Sequence, residues 1–159
     1  MNHIPRTAFG LALAALLLLA GAAGACGENP PPLEVQPSPL QLTLYSSPGC
    51  GCCSEYEKYL VEQGFRVQSI RTEDMTGTKA DLDIPRAMWS CHTVVVMGYF
   101  VEGHVPVEAI NRLLQQRPSV DGIALPGMPP GSPGMGGVKT GPWTIYQVAH
   151  GESSEFMSF

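Results

Sequence analysis

Gln41-Leu42-Thr43-Leu44-Tyr45-Ser46-Ser47-Pro48-Gly49-Cys50-Gly51-Cys52-Cys53 is the stretch that decides the fold. Gln41 to Tyr45 are β-prone, Ser46 to Gly51 punctuate, and from Cys53 to Gln63 the spacing of Tyr56, Tyr59 and Leu60 is helical, with Gly64 closing the helix. This pattern of strand, turn and helix places three cysteines at a helix N-terminus. Unsatisfied N–H groups and the helix dipole favour thiolates there.

Downstream, Phe65 to Ile70 reads as a second strand, parallel to the first across the connecting helix. Met75 to Leu82 reads as a short helix that Pro85 breaks. Thr93 to Met97 and Tyr99 to Glu102 make a hairpin around Gly98, with Met97 expected in the core beside Val94, Val95 and Val96. A helix follows from Pro106 to Gln116. The resulting β-α-β-α-β-β-α order is an α/β, thioredoxin-like arrangement, whose first turn carries the cysteines. From Asp121 to Pro142, seven Gly and five Pro in 22 residues leave no room for a helix or a central strand. Pro-Gly-Met occurs twice in this loop, ending at Met128 and Met135. A final strand, Trp143 to Val148, closes a domain expected over 41–149, leaving 150–159 as a tail.

The 159 residues suit one modest domain, and 18 Gly, 15 Pro and only 14% charged residues exclude a coiled coil. The formal charge of −5, without a basic cluster, argues against a nucleic-acid partner. Leu11 to Ala25 is an apolar run preceded by Arg6, too short for a membrane span, so residues 1–25 read as a secretory signal. Ala23-Gly24-Ala25 suits ordinary signal peptidase. Cys26 then follows as in a lipobox, with Ala23 in place of the usual leucine, which makes Cys26 a candidate lipidation site. Residues 26–40 read as a tether, with five prolines between Gly27 and Leu40. Without residues 1–25 the chain keeps 8 basic against 14 acidic residues, a charge of −6, and has no electrostatic attraction to anionic membranes. The expected location is periplasmic or outer-surface, with contact to a membrane only through a lipid on Cys26. That compartment is oxidising, so the other four cysteines must be paired, metal-bound or kept reduced by a partner.

Cys50 and Cys53 have the spacing that closes a disulfide or clasps a metal, and Cys52 is surplus to a redox dithiol. Cys91-His92 stands just before the third strand, where the topology brings it against the cysteine turn. Ser90-Cys91 replaces the cis-proline that thioredoxin-like enzymes usually carry there, which favours ligation over disulfide exchange. Glu102 and His104, two apart along a strand, would share a face, letting the carboxylate orient the imidazole. The candidate metal ligands are therefore Cys50, Cys52, Cys53, Cys91, His92 and His104, with the thioethers of Met128 and Met135. Sulfur donors select Cu(I), and zinc is the other candidate, because Cys50, Cys53, Cys91 and His92 would make a tetrahedral site.

Four motifs in order, Cys50-Gly51-Cys52-Cys53, Ser90-Cys91-His92-Thr93, Glu102-Gly103-His104-Val105-Pro106 and the two Pro-Gly-Met segments, resemble domain-of-unknown-function family 411 (DUF411) between Thr43 and Val148. The resemblance implies a thioredoxin-like, metal-binding domain associated with bacterial copper resistance. Members of that family usually carry a His-Met pair on the first helix, where this sequence has Tyr59 and Leu60.

The expected function is an exported Cu(I) chaperone or sequestering protein in copper homeostasis, partnered by copper and other periplasmic copper-handling proteins. The alternative is a thiol–disulfide oxidoreductase in which Cys50 attacks and Cys53 resolves. No Walker-type loop, nucleophile elbow or His-Glu-x-x-His helix gives any other enzyme class a foothold, and no catalytic residue is assigned.

Overall fold

The computed structural model describes residues 38–159. The expected signal, Cys26 and most of the tether lie outside the described residues. The described residues form a mixed α/β domain with strands β1 (Gln41–Ser46), β2 (Arg66–Arg71), β3 (His92–Val96), β4 (Tyr99–Glu102), β5 (Gly122–Ala124), β6 (Thr144–Ala149) and β7 (Glu152–Ser158). The helices are α1 (Gly51–Glu62), α2 (Met75–Asp81) and α3 (Val107–Gln116), with a 3₁₀ turn at Arg86–Met88. The strands make one seven-stranded sheet in the order β2-β1-β3-β4-β5-β6-β7. Pairing is parallel between β1 and β2 and between β4 and β5, and antiparallel elsewhere.

Strand alternation divides the core into two faces. Leu42, Leu44, Val94, Val96, Val101 and Ile123 point to one side, where they meet Tyr56 and Leu60 of α1 and Ala109, Ile110 and Leu113 of α3. Phe100, Ala124 and Val148 point to the other, where Ile84 and Met88 cover them. Each fully buried aliphatic side chain contributes about 1.5–3 kcal/mol, so the α1/α3 face, with most of them, supplies most of the apolar stabilisation.

Three local expectations need correction. The Gly/Pro-rich segment does contain a central strand, because β5 lies between β4 and β6. Glycine permits it: a Cβ on Gly122 would collide with the carbonyl oxygen and ring of Phe100. The expected tail is strand β7, joined to β6 by His150-Gly151, so the sheet continues through Ser158. Met97 is 51% exposed rather than core, because it begins the turn between β3 and β4. Both turns have two residues at positive φ, 48° and 87° at Met97-Gly98 and 53° and 81° at His150-Gly151. That is the primed geometry matching the twist of a hairpin, but neither Met-Gly nor His-Gly is a usual sequence signal for it.

Gly122→Ala should destabilise the domain by about 1–3 kcal/mol, the usual cost of overpacking, and a urea unfolding midpoint equal to that of the parent protein would contradict the close approach of β4 and β5.

Candidate metal centre

The pairing of β1 with β3 sets Ser46 opposite His92, so the turn leaving β1 faces the loop entering β3. Cys50 caps α1, and Cys52 and Cys53 lie in its first turn. Cys50 and Cys53 form a disulfide, while Cys52 and Cys91 are free thiols. The Cys52 sulfur lies 3.6 Å from that of Cys50 and 3.7 Å from that of Cys91, and the Cys53 sulfur lies 3.8 Å from the Cys91 carbonyl oxygen. The proximity expected from topology is thus present: the four sulfurs all lie within 4.8 Å of one another.

Cys91 also belongs to a second group of donors. Its sulfur is 3.2 Å from Nδ1 of His92 and 3.0 Å from Nε2 of His104, and each of these imidazoles is fully buried. The rings meet edge to face, with centroids 4.7 Å apart. Nε2 of His92 is buried without a hydrogen-bond partner, which leaves Nδ1, the nitrogen facing Cys91, as the ring's one polar contact point. Nδ1 of His104 donates to the Pro133 carbonyl at 2.7 Å. A carbonyl can only accept, so the Nε2 lone pair is turned toward the Cys91 sulfur, in the tautomer a metal ligand requires.

His104 does not take its orientation from Glu102, as the two-residue spacing suggested. Gly103, at φ 78°, breaks the strand alternation after Glu102, and a Cβ there would lie 2.7 Å from Ser90 Cβ. His104 turns to the α1 face, and the Glu102 carboxylate is left on the α2 face with Lys79 and Thr93.

The Gly/Pro-rich loop closes one side of the centre. Gly134, at φ 76°, sits where a Cβ would lie 2.6 Å from the Tyr56 amide nitrogen, so this segment lies directly on α1. Met135 is half-buried and Met128 is 52% exposed. The Met128 segment is fastened to the Cys91 loop, with the Gly127 amide donating to the Trp89 carbonyl at 3.4 Å and the Ser90 hydroxyl donating to the Gly127 carbonyl. Cysteines and histidines make up the two donor groups.

Tyr56 is the site residue that sequence reasoning assigned only to the helix's apolar face. It is fully buried, donates to the Val105 carbonyl at 2.7 Å, and lies 4.4 Å from the His92 ring centroid and 5.4 Å from that of His104. Its position three residues after Cys53, on the same helix face, is the signal that could have found it. Tyr59 and Leu60 serve the fold: the Tyr59 hydroxyl accepts the first N–H of α3 at 2.8 Å, and Leu60 is fully buried in the core.

Burial sets the protonation states. It raises the Cys91 thiol to about 12, with the nearby Cys52 adding to the shift. It lowers His92 well below its ordinary value of 6.5, assisted by His104 and Lys79, and lowers His104 as well, although the bond to Pro133 partly opposes this. Both imidazoles are therefore neutral donors at neutral pH. In the unfolded chain they take up protons below 6.5 while the folded protein does not, so the unfolded state binds more protons and stability falls on acidification. The urea midpoint should drop between pH 7 and pH 5, and replacing His92 should flatten that dependence. A midpoint constant over this range would contradict the neutral assignment.

The DUF411 family model, described as a protein of unknown function, matches residues 88–135, which hold Cys91, His92, His104 and both loop methionines. No curated protein matches the chain. Solved structures of copper resistance protein CopG, in form 1 and form 2, each superpose with a TM-score of 0.71 at 38% identity, over 76% of this chain and 98% of theirs. With that identity across nearly the whole length of a solved relative, and with the family model matching residues 88–135, the chain belongs to the DUF411 family.

Proposed function

We propose that this chain is an exported copper-binding protein that carries or sequesters Cu(I) in copper resistance. The observation that carries the reading is the position of Cys91, whose sulfur belongs both to the cluster of four cysteine sulfurs and to the Cys91, His92 and His104 group. Soft thiolates with neutral imidazoles suit Cu(I), and their burial suits a cargo that has to be kept from water and oxidants. The similarity to copper resistance protein CopG supports the same metal. A β2-β1-β3-β4 order with cysteines at the α1 N-terminus supports the thioredoxin-like description of the core. Copper is the cargo, held by Cys50, Cys52, Cys53 and Cys91 once the disulfide is reduced, with His92 and His104 completing the donor set. Met128 and Met135 act as auxiliary thioethers at the loop. The protein works in the periplasm or at the outer surface, tethered there if Cys26 is lipidated, and exchanges copper with other copper-handling proteins of that compartment.

The Cys50–Cys53 disulfide favours one second reading, a thiol–disulfide oxidoreductase. In that reaction the Cys50 thiolate would attack a substrate disulfide and Cys53 would resolve the mixed disulfide, passing two electrons to the substrate. Against it, Ser90-Cys91 occupies the position of the usual cis-proline.

Anaerobic titration of the reduced protein with Cu(I) against a chromophoric chelator should give competitive binding. It should be weakened in Cys91→Ser more than in any other single cysteine variant, because Cys91 serves both groups. Binding should fall sharply when Cys50–Cys53 is oxidised, since two of the four thiolates are then withdrawn. Zinc is the control, and its preference over Cu(I) would move the assignment to a tetrahedral Cys₃His site. Failure of the reduced protein to compete for copper, together with disulfide-reductase turnover abolished in Cys50→Ser, would establish the second reading instead.

A further inference from the structure

Glu102 is completely buried at the end of β4, on the side of the sheet away from α1. One carboxylate oxygen accepts the Ser90 backbone N–H at 2.6 Å and pairs with the Lys79 ammonium of α2. The other accepts the Thr93 hydroxyl at 2.5 Å, and Lys79 also donates to that hydroxyl oxygen at 3.0 Å. Ser90 and Thr93 are the residues immediately before and immediately after Cys91-His92. A single carboxylate therefore fastens both flanks of the ligand pair, and the next residue, Gly103, donates its N–H to the His92 carbonyl at 3.0 Å.

A buried ion pair is a poor device for stability alone, because apolar residues of similar volume in its place are often as stable or more so. Apolar residues could not accept the Ser90 amide or the Thr93 hydroxyl, however, and those two bonds are what restrain the loop. We propose that Glu102, its charge balanced by Lys79, is a positioning residue that holds Cys91 and His92 in ligating geometry from the opposite face of the sheet. This inference rests on the metal-binding reading above and adds to it a part that touches no ligand atom. Ligand-orienting groups of this kind typically change metal affinity by about 10–100-fold.

The test compares three variants by anaerobic Cu(I) competition, urea unfolding and copper-edge X-ray absorption. Lys79→Met/Glu102→Leu removes the bracket and the ion pair together, so no lone charge remains buried; it should stay folded and bind Cu(I) about 10–100-fold more weakly, with reduced imidazole scattering at copper. Lys79→Met/Glu102→Gln keeps an amide that can accept Ser90 N–H and meet Thr93, and should recover most of the affinity. Thr93→Val retains the ion pair and severs one arm, guarding against a Leu variant that does not fold; it should remain folded, with a lower unfolding midpoint because Glu102 and Lys79 each lose a buried partner, and should bind Cu(I) severalfold more weakly. Full affinity in the folded Leu variant or in Thr93→Val, or a Gln variant as weak as the Leu variant, would overturn the positioning role. If the parent protein binds no copper, the metal-binding reading fails by itself. The bracket is then judged in the metal-free protein by the rate of Cys91 alkylation, mapped by peptide mass spectrometry, which should rise in the Leu variant and be unchanged if Glu102 does not hold the loop.

Discussion

The antiparallel pairing of β1 with β3 is the constraint on which the centre depends. With Ser46 opposite His92, the end of one strand and the start of the other lie side by side, so the cysteine turn and the Cys91 loop have to meet. No sequence-local interaction could bring Cys52 within 3.7 Å of a sulfur 39 residues away. The core strands Leu42, Leu44, Val94 and Val96 bury their side chains under α1 and α3 and lock that register, since a slip by one residue would turn each of them to the other face.

Around that junction the protein separates two tasks by face. The α1 face carries the donors: three sulfurs at a helix N-terminus, Cys91, and two neutral imidazoles walled by Tyr56. The α2 face carries the charges, Lys79 and Glu102, which would be costly beside the neutral donors but are satisfied among Thr93 and the Ser90 amide. Gly103 divides the two, because its left-handed backbone sends His104 to one face after Glu102 has gone to the other. The loop with the two Pro-Gly-Met segments then closes over the donors through backbone contacts, using the Pro133 carbonyl to fix the His104 tautomer.

Much of this was legible beforehand, and the reasons are particular. Helical spacing after Cys53 and the β-prone run before Ser46 fixed the strand-turn-helix unit, and topology alone brought Cys91-His92 to it. Tyr59 and Leu60 were visible as a departure from the family pattern. Their employment, capping α3 and filling the core, depended on partners far along the chain. Strands β5 and β7 were missed for different reasons: glycine content disguised a strand that needs a glycine to fit, and an unusual His-Gly turn hid the last hairpin.

By itself the sequence determined which chemistry was available: clustered soft donors, four cysteines and two histidines between Cys50 and His104, on a chain of net charge −5. Residue types and short spacings carry that information, because donor softness and helix-terminal position are local properties. The tertiary structure decided how the donors are shared. Cys91 lies between two groups, the Cys91 thiol is pushed up to about 12, both imidazoles are held neutral, and Glu102 serves the Cys91 loop rather than His104. Burial and the backbone turn at Gly103 produce those outcomes, and both are set by what packs against a residue rather than by its neighbours in the chain.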